Sequence, residues 1–181
     1  MDRYKVIWTR LQTEIFRFLC IHAGEKFNLR ETARKLKVSP TAVGNALPGL
    51  EEDGIIRVEK SKTMNLFTIE FNRDNQRAID LKRVENLRMI YVSGLVVFLE
   101  DTFPGCAIIL FGSYSRGEDI VKSDVDIAIV GSKGKKVDLE RYEKVLGRVV
   151  TINSYKSWDI NNNLRNNILN GIILKGYLKI F

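Results

Sequence analysis

Residues 110–131 read LFGSYSRGEDIVKSDVDIAIVG, and the two polar interruptions in this apolar run decide how the second half of the chain is built. Cys106 to Phe111 has the unbroken apolar character of a buried strand, Gly112-Ser113 supplies a turn, and Tyr114 to Gly117 begins a short helix. Val125 to Val130 reads as a second strand, entered through Ser123-Asp124. Both polar pairs therefore fall at strand ends, on one edge of a sheet if the strands are neighbours. The two-residue period places Asp124 and Asp126 on one face, about 7 Å apart along the strand. Two carboxylates projecting together repel each other unless a cation lies between them, and oxygen ligands of this kind suit magnesium. A Gly-Ser turn at a helix start offers N–H groups, a hydroxyl and a favourable dipole to a phosphate. Taken singly, the pairs are an ordinary turn and an ordinary strand entry; side by side they describe a site for a metal-bound triphosphate.

The flanking sequence frames this stretch. Polar residues cluster at Asn72 to Asn75, a hinge, and Gln76 to Phe103 reads as one long helix ended by Pro104-Gly105. Its expected buried stripe is Ile79, Val84, Leu87, Ile90, Tyr91, Leu95, Phe98 and Leu99. Apolar positions left exposed on it would favour a homodimer.

Before the hinge the pattern is different. From Tyr4 to about Ala23, Ile7, Leu11, Ile15, Phe18 and Leu19 recur at helical spacing. His22, the only histidine, falls at that helix's end near Gly24 and is expected to cap or pack, with catalysis the rarer alternative. Asn28 can cap a short helix from Leu29 to Lys37 whose outer face carries Arg30, Arg34, Lys35 and Lys37. Ser39-Pro40 opens a third helix, with Val43, Ala46, Leu47 and Leu50 inward, which stops at Asp53-Gly54. IIRVEKSKTMNLFTIEF then reads as two strands around a turn at Lys62 to Asn65. The fold class is α+β, with domains at residues 1–73 and 74–181.

Composition bounds the function. The chain has 181 residues, 45% of them hydrophobic and 28% charged, enough to bury a core without staples and unlike a disordered chain. Its 29 Lys and Arg against 22 Asp and Glu give a net charge of +7, which favours polyanionic partners without requiring them. Cys20 and Cys106 lie in separate apolar stretches and read as buried free thiols, not a disulfide framework. The segment MDRYKVIWTRLQTEIF has no continuous apolar core, and the longest apolar run, Leu95 to Leu99, is too short to span a bilayer. The expectation is a cytoplasmic protein with no membrane partner.

Two resemblances follow from these residues. NLRETARKLKVSPTAVGNALPGLEEDGIIRVEKSKTMNLFTIE resembles the winged helix-turn-helix family, in which the third helix enters the DNA major groove and the wing touches the backbone. The resemblance implies DNA contacts from Thr41, Asn45, Arg57, Lys60 and Lys62, mostly to phosphates. The third helix departs from a strong reader: it has no Lys or Arg, carries Glu51 and Glu52, and contains Pro48, which removes one helical hydrogen bond. A solvated basic surface or a protein-docking module is the alternative.

The Gly-Ser pair followed, after ten residues, by Asp-x-Asp is similar to the signature of the DNA polymerase beta-like nucleotidyltransferase superfamily. The match is close to the minimal nucleotidyltransferases, which include antitoxins paired with HEPN-domain toxins. It extends from about Asn86 to the final NNLRNNILNGIILKGY. It implies that Gly112 and Ser113 hold the phosphates of a nucleotide, ATP foremost, and that Asp124 and Asp126 coordinate Mg2+. Arg116 either steadies phosphate charge or pairs within its loop to Glu118 or Asp119. The reaction implied is nucleotidyl transfer to a hydroxyl, with a HEPN-type protein as one candidate partner. Such enzymes usually carry a third carboxylate on the next strand, as metal ligand and base. Here that strand, Arg148 to Trp158, has no Asp or Glu; Thr151 or Asn153 takes the place, Asn153 can ligate a metal but is a poor proton acceptor, and Asp138 and Asp159 are near in sequence but expected at element starts rather than mid-strand. The alternative is a winged-helix DNA-binding regulator whose degenerate transferase half only binds nucleotide or a partner.

Overall fold

The computed structural model describes residues 8–60, 67–157 and 160–178. Ile7, Lys62 with its expected turn, Trp158 and Asp159 lie outside them. The chain divides into two compact units, Met1–Ile79 and Asp80–Phe181.

The first unit is a winged helix. Helix α1 (Arg10–Ile21) starts where Thr9 closes a capping box, its side chain accepting from the Gln12 amide while Gln12 accepts from the Thr9 amide; the expected start at Tyr4 lies outside the described residues. His22 caps its end and packs against Phe18 and Phe27, with ring centroids 4.6 and 5.2 Å away, and its Nδ1 lies 2.8 Å from Glu25. It is a packing residue. A two-residue strand β1 (Phe27–Asn28), too short to show any period, precedes α2 (Leu29–Leu36), which Asn28 caps as expected. Ser39 caps α3 (Pro40–Glu52), with Pro40 in the first turn and Pro48 inside. Strands β2 (Ile56–Lys60) and β3 (Phe67–Phe71) complete an antiparallel sheet in the order β1-β3-β2. Ile15, Leu19, Val43, Leu50, Ile55 and Ile69 are fully buried at its centre.

The expected long helix is two. Helix α4 (Gln76–Val92) stops at Ser93-Gly94, and α5 (Leu95–Thr102) follows. Gly94 has φ +79°, a conformation favouring glycine, while the Ser93 hydroxyl donates to the Ile90 carbonyl and accepts from the Leu95 amide. The expected stripe also fails on α4: Val84 and Tyr91 are exposed, whereas Lys82, Glu85 and Asn86 are buried along with Ile90. This helix turns a polar face inward because fixed partners await it there.

The second unit is built on a mixed sheet in the order β6-β5-β4-β7. Strand β4 (Ala107–Phe111) leads through α6 (Gly112–Arg116) to β5 (Val125–Val130); α7 (Glu140–Leu146) leads to β6 (Val150–Tyr155); α8 (Asn162–Leu169) leads to β7 (Ile172–Lys175). β4 is antiparallel to both β5 and β7, and β5 is parallel to β6. Every residue of β4 is buried, since both sheet faces are covered. One face packs Ile108, Leu110, Ile127 and Ile129 against Leu95, Leu99, Tyr142 and Leu146; the other packs Ile109, Phe111 and Ala128 against Ile168. Cys20 is buried and Cys106 only half-buried, and both are free thiols. No helix among the described residues is long and apolar enough to cross a membrane.

Candidate nucleotidyl-transfer site

The two polar pairs meet. Because β4 and β5 run antiparallel, Phe111 at the end of β4 stands opposite Asp126 at the start of β5. The next residue, Gly112, has φ +75°, and a Cβ there would lie 2.4 Å from Asp126 Oδ2. Glycine is thus required twice, by the backbone angle and by the carboxylate leaning over it. Ser113 follows, half-buried, its carbonyl accepting from the Glu118 amide at 3.1 Å.

Asp124 is exposed and Asp126 half-buried. The carboxyl of Asp126 is held above the usual aspartate value of 3.8, first by burial and second by the negative charge of Asp124. Each acid therefore stands in the other's field, as the strand period requires.

The third position is settled by register. Parallel pairing sets Thr151 beside Asp126 and Asn153 beside Ala128. The Thr151 hydroxyl lies 3.5 Å from Asp124 Oδ2. Asn153 shares the face but stands two residues farther along, about 6.6 Å up the strand. Thr151 thus reaches Asp124 diagonally across the strands, and Asn153 stands at the same two-residue offset from Asp126. Among the described residues no group of three His, Cys, Asp or Glu gathers anywhere, and Asp138 instead caps the Glu140 amide at the start of α7. Two carboxylates and a hydroxyl are an all-oxygen donor set, which fits Mg2+ in chemistry and is sparse in charge.

Arg116 pairs with Glu118 at 2.7 Å, both about half exposed, so of its two readings the structure displays the pairing within the loop. In the winged helix, Thr41, Asn45, Arg57 and Lys60 are exposed. Arg57 is ion-paired to Asp74, and Lys60 lies over the Phe67 ring at 5.8 Å.

One group escaped the sequence reading. Behind the site, Asp119 is buried with Lys82, Asn86 and Arg148. Its Oδ1 accepts from the Lys82 ammonium and from Asn86 Nδ2, the latter at 2.7 Å, and its Oδ2 accepts from Arg148 Nη2 at 3.3 Å. The only signal in the sequence was the spacing of Lys82, Asn86 and Ile90 on one helical face.

The fold is a winged helix followed by a unit built on a mixed sheet. Residues 92–167 match the family model described as "Nucleotidyltransferase domain", so the second unit carries such a domain. No curated protein matches the sequence. Among solved structures, similarity is found to the adhesin competence repressor AdcR from Streptococcus pyogenes, at 16% identity and TM-score 0.40, covering 53% of this chain and 68% of that one. A mutant form of ZitR from Lactococcus lactis is similar at 20% identity and TM-score 0.41, covering 57% of this chain and 67% of that one. Likenesses this distant do not bear on function; the winged-helix assignment rests on this chain's own helices and hairpin.

Proposed function

We propose that the second unit is a Mg2+-dependent nucleotidyltransferase that moves a nucleotidyl group, AMP from ATP foremost, to a hydroxyl of a protein or small molecule. The observation that carries this is the Asp126 carboxylate packed over Gly112, which sets an acid pair against the Gly-Ser turn. Gly112 and Ser113 would receive phosphate oxygens through an amide and a hydroxyl, and Asp124 and Asp126, with the Thr151 hydroxyl, would hold Mg2+. Bound there, magnesium would offset charge on the entering and leaving oxygens. The acceptor oxygen attacks the α-phosphorus; the new P–O bond forms as the bond to pyrophosphate breaks, and the hydroxyl proton leaves to solvent, no third carboxylate among the described residues standing by to take it. A missing general base costs about a hundredfold to ten-thousandfold, so the expected enzyme is slow rather than inert. A HEPN-type partner is the acceptor that the resemblance suggests.

Incubation with α-labelled ATP, Mg2+ and candidate acceptors tests the proposal. Label transfer that vanishes in Asp124→Ala and Asp126→Ala supports it. Nucleotide binding with no transfer to any acceptor overturns it in favour of the second reading, a DNA-binding regulator, which the lack of a third acid beside Thr151 among the described residues favours. In that reading residues 1–73 bind DNA through Thr41, Asn45, Arg57 and Lys60, and binding would weaken steeply with salt.

A further inference from the structure

We infer that Asp119 is a positioning residue for the transfer site, an inference that rests on reading that site as a nucleotidyltransferase centre. Asp119 lies on the loop between Ser113 and Asp124, the segment that connects the Gly-Ser turn to the acid pair. Both sides of that loop are tied down: the Glu118 amide donates to the Ser113 carbonyl at 3.1 Å, and Ile120 and Ser123 exchange hydrogen bonds at 3.0 and 2.9 Å. Between these ties, Asp119 is 1% exposed.

Its three donors come from two other parts of the unit. Lys82 and Asn86 stand one turn apart on α4, and Asn86 Nδ2 also donates to the Tyr114 carbonyl of α6 at 2.9 Å. Arg148 lies just before β6, where the Val125 amide donates to the Val149 carbonyl at 2.8 Å. A single carboxylate therefore joins α4, the loop from Ser113 to Asp124, and the entry to the strand whose Thr151 reaches Asp124.

Stability alone is a weak reason for such a group. Apolar residues of similar volume often replace a buried ion pair at no loss, because desolvation offsets most of the attraction. Directed hydrogen bonds do something apolar packing does not: they hold one register. Here the register held is the separation between Ser113 and the Asp124–Asp126 pair, the quantity on which the proposed chemistry depends.

The test uses the full-length chain and its Asp119→Asn and Asn86→Ala variants. Circular dichroism and thermal melting establish folding, Mn2+ titration by electron paramagnetic resonance reads the acid pair without needing turnover, and kinetics with ATP separate kcat from KM. The expected result is folded variants whose Mn2+ affinity falls about ten- to hundredfold, with kcat reduced more than KM is raised. Folded variants with wild-type Mn2+ affinity and kcat overturn the inference. Should Asp119→Asn fail to fold, Asn86→Ala carries the same test, since it leaves both ion pairs of Asp119 in place. A wild-type chain that binds no Mn2+ sinks the transferase reading itself; wild-type binding with unaltered variants sinks only the inference about Asp119.

Discussion

The transfer site and the wing treat charge in opposite ways. At the site, two acids of like sign are held together on one sheet face, and Asp126 is held above the usual carboxylate range by burial and by Asp124. Around the wing strands opposite charges meet: Arg57 pairs with Asp74, and Lys26 with Glu59 and Glu70. Unanswered like charge is costly and persists only where something else is to bind it, whereas exposed ion pairs contribute little either way. The difference supports reading the proposed chemistry into the second unit.

That contrast is most exposed to the removal of an acid. Asp124→Ala and Asp126→Ala should each lower transfer by on the order of a hundred- to thousandfold, measured with α-labelled ATP; near wild-type rates would remove the site. Gly112→Ala comes next. The substitution forces a side chain into a left-handed angle, costing about 1–2 kcal/mol, and drives it into Asp126. Activity and Mn2+ affinity should therefore fall by more than a thermal melt would account for.

Thr151→Asp probes the same contrast by adding charge. A third carboxylate beside Asp124 and Asp126 should raise Mn2+ affinity and rate by about tenfold or more, with a smaller gain from Asn153→Asp, which stands opposite Ala128. Equal gains from both would mean the register does not choose between them.

A smaller effect concerns stability. Asp126 holds its proton more tightly when folded than unfolded, so its destabilising contribution is absent at low pH and develops as pH rises through the raised value. Without metal at neutral pH, Asp126→Asn should stabilise the chain slightly, by less than about 1 kcal/mol given its partial exposure. Metal binding runs the opposite way: it should be lost as pH falls, beginning above the ordinary aspartate value of 3.8. A Mn2+ titration across pH that follows an unshifted carboxylate would contradict this. The smallest effect belongs to the wing. Arg57→Ala should weaken any DNA binding modestly, because its guanidinium already has a partner in Asp74; a large loss would move the DNA contacts to the centre of the function.

Much of this was legible before any coordinates. Asn28, Ser39 and Pro40 announced two helix starts through local hydrogen bonding and a preset backbone angle, and the structure uses them in those roles. Val125 to Val130 was readable because an apolar run bounded by polar turns states its own ends. The long helix failed at Ser93-Gly94 because α4 and α5 carry apolar residues at spacings that run on in phase, and one glycine weakens a periodic pattern without cancelling it. Lys82 and Asp119 failed for a different reason: charged residues are exposed unless partnered, and partners 37 residues apart leave no trace in a local pattern.

The order of residues was enough for the short-range choices: caps, turns, strand alternation, and an acid pair ten residues beyond a Gly-Ser turn. Those follow from forces acting within a few residues. It took the folded chain to show that Asp126 leans over Gly112, that the Thr151 hydroxyl reaches Asp124, and that Asp119 is buried against Lys82 and Arg148. Strand register and burial depend on segments far apart in the chain, and a shift of one residue in the pairing of a strand would have turned all its side chains to the other face.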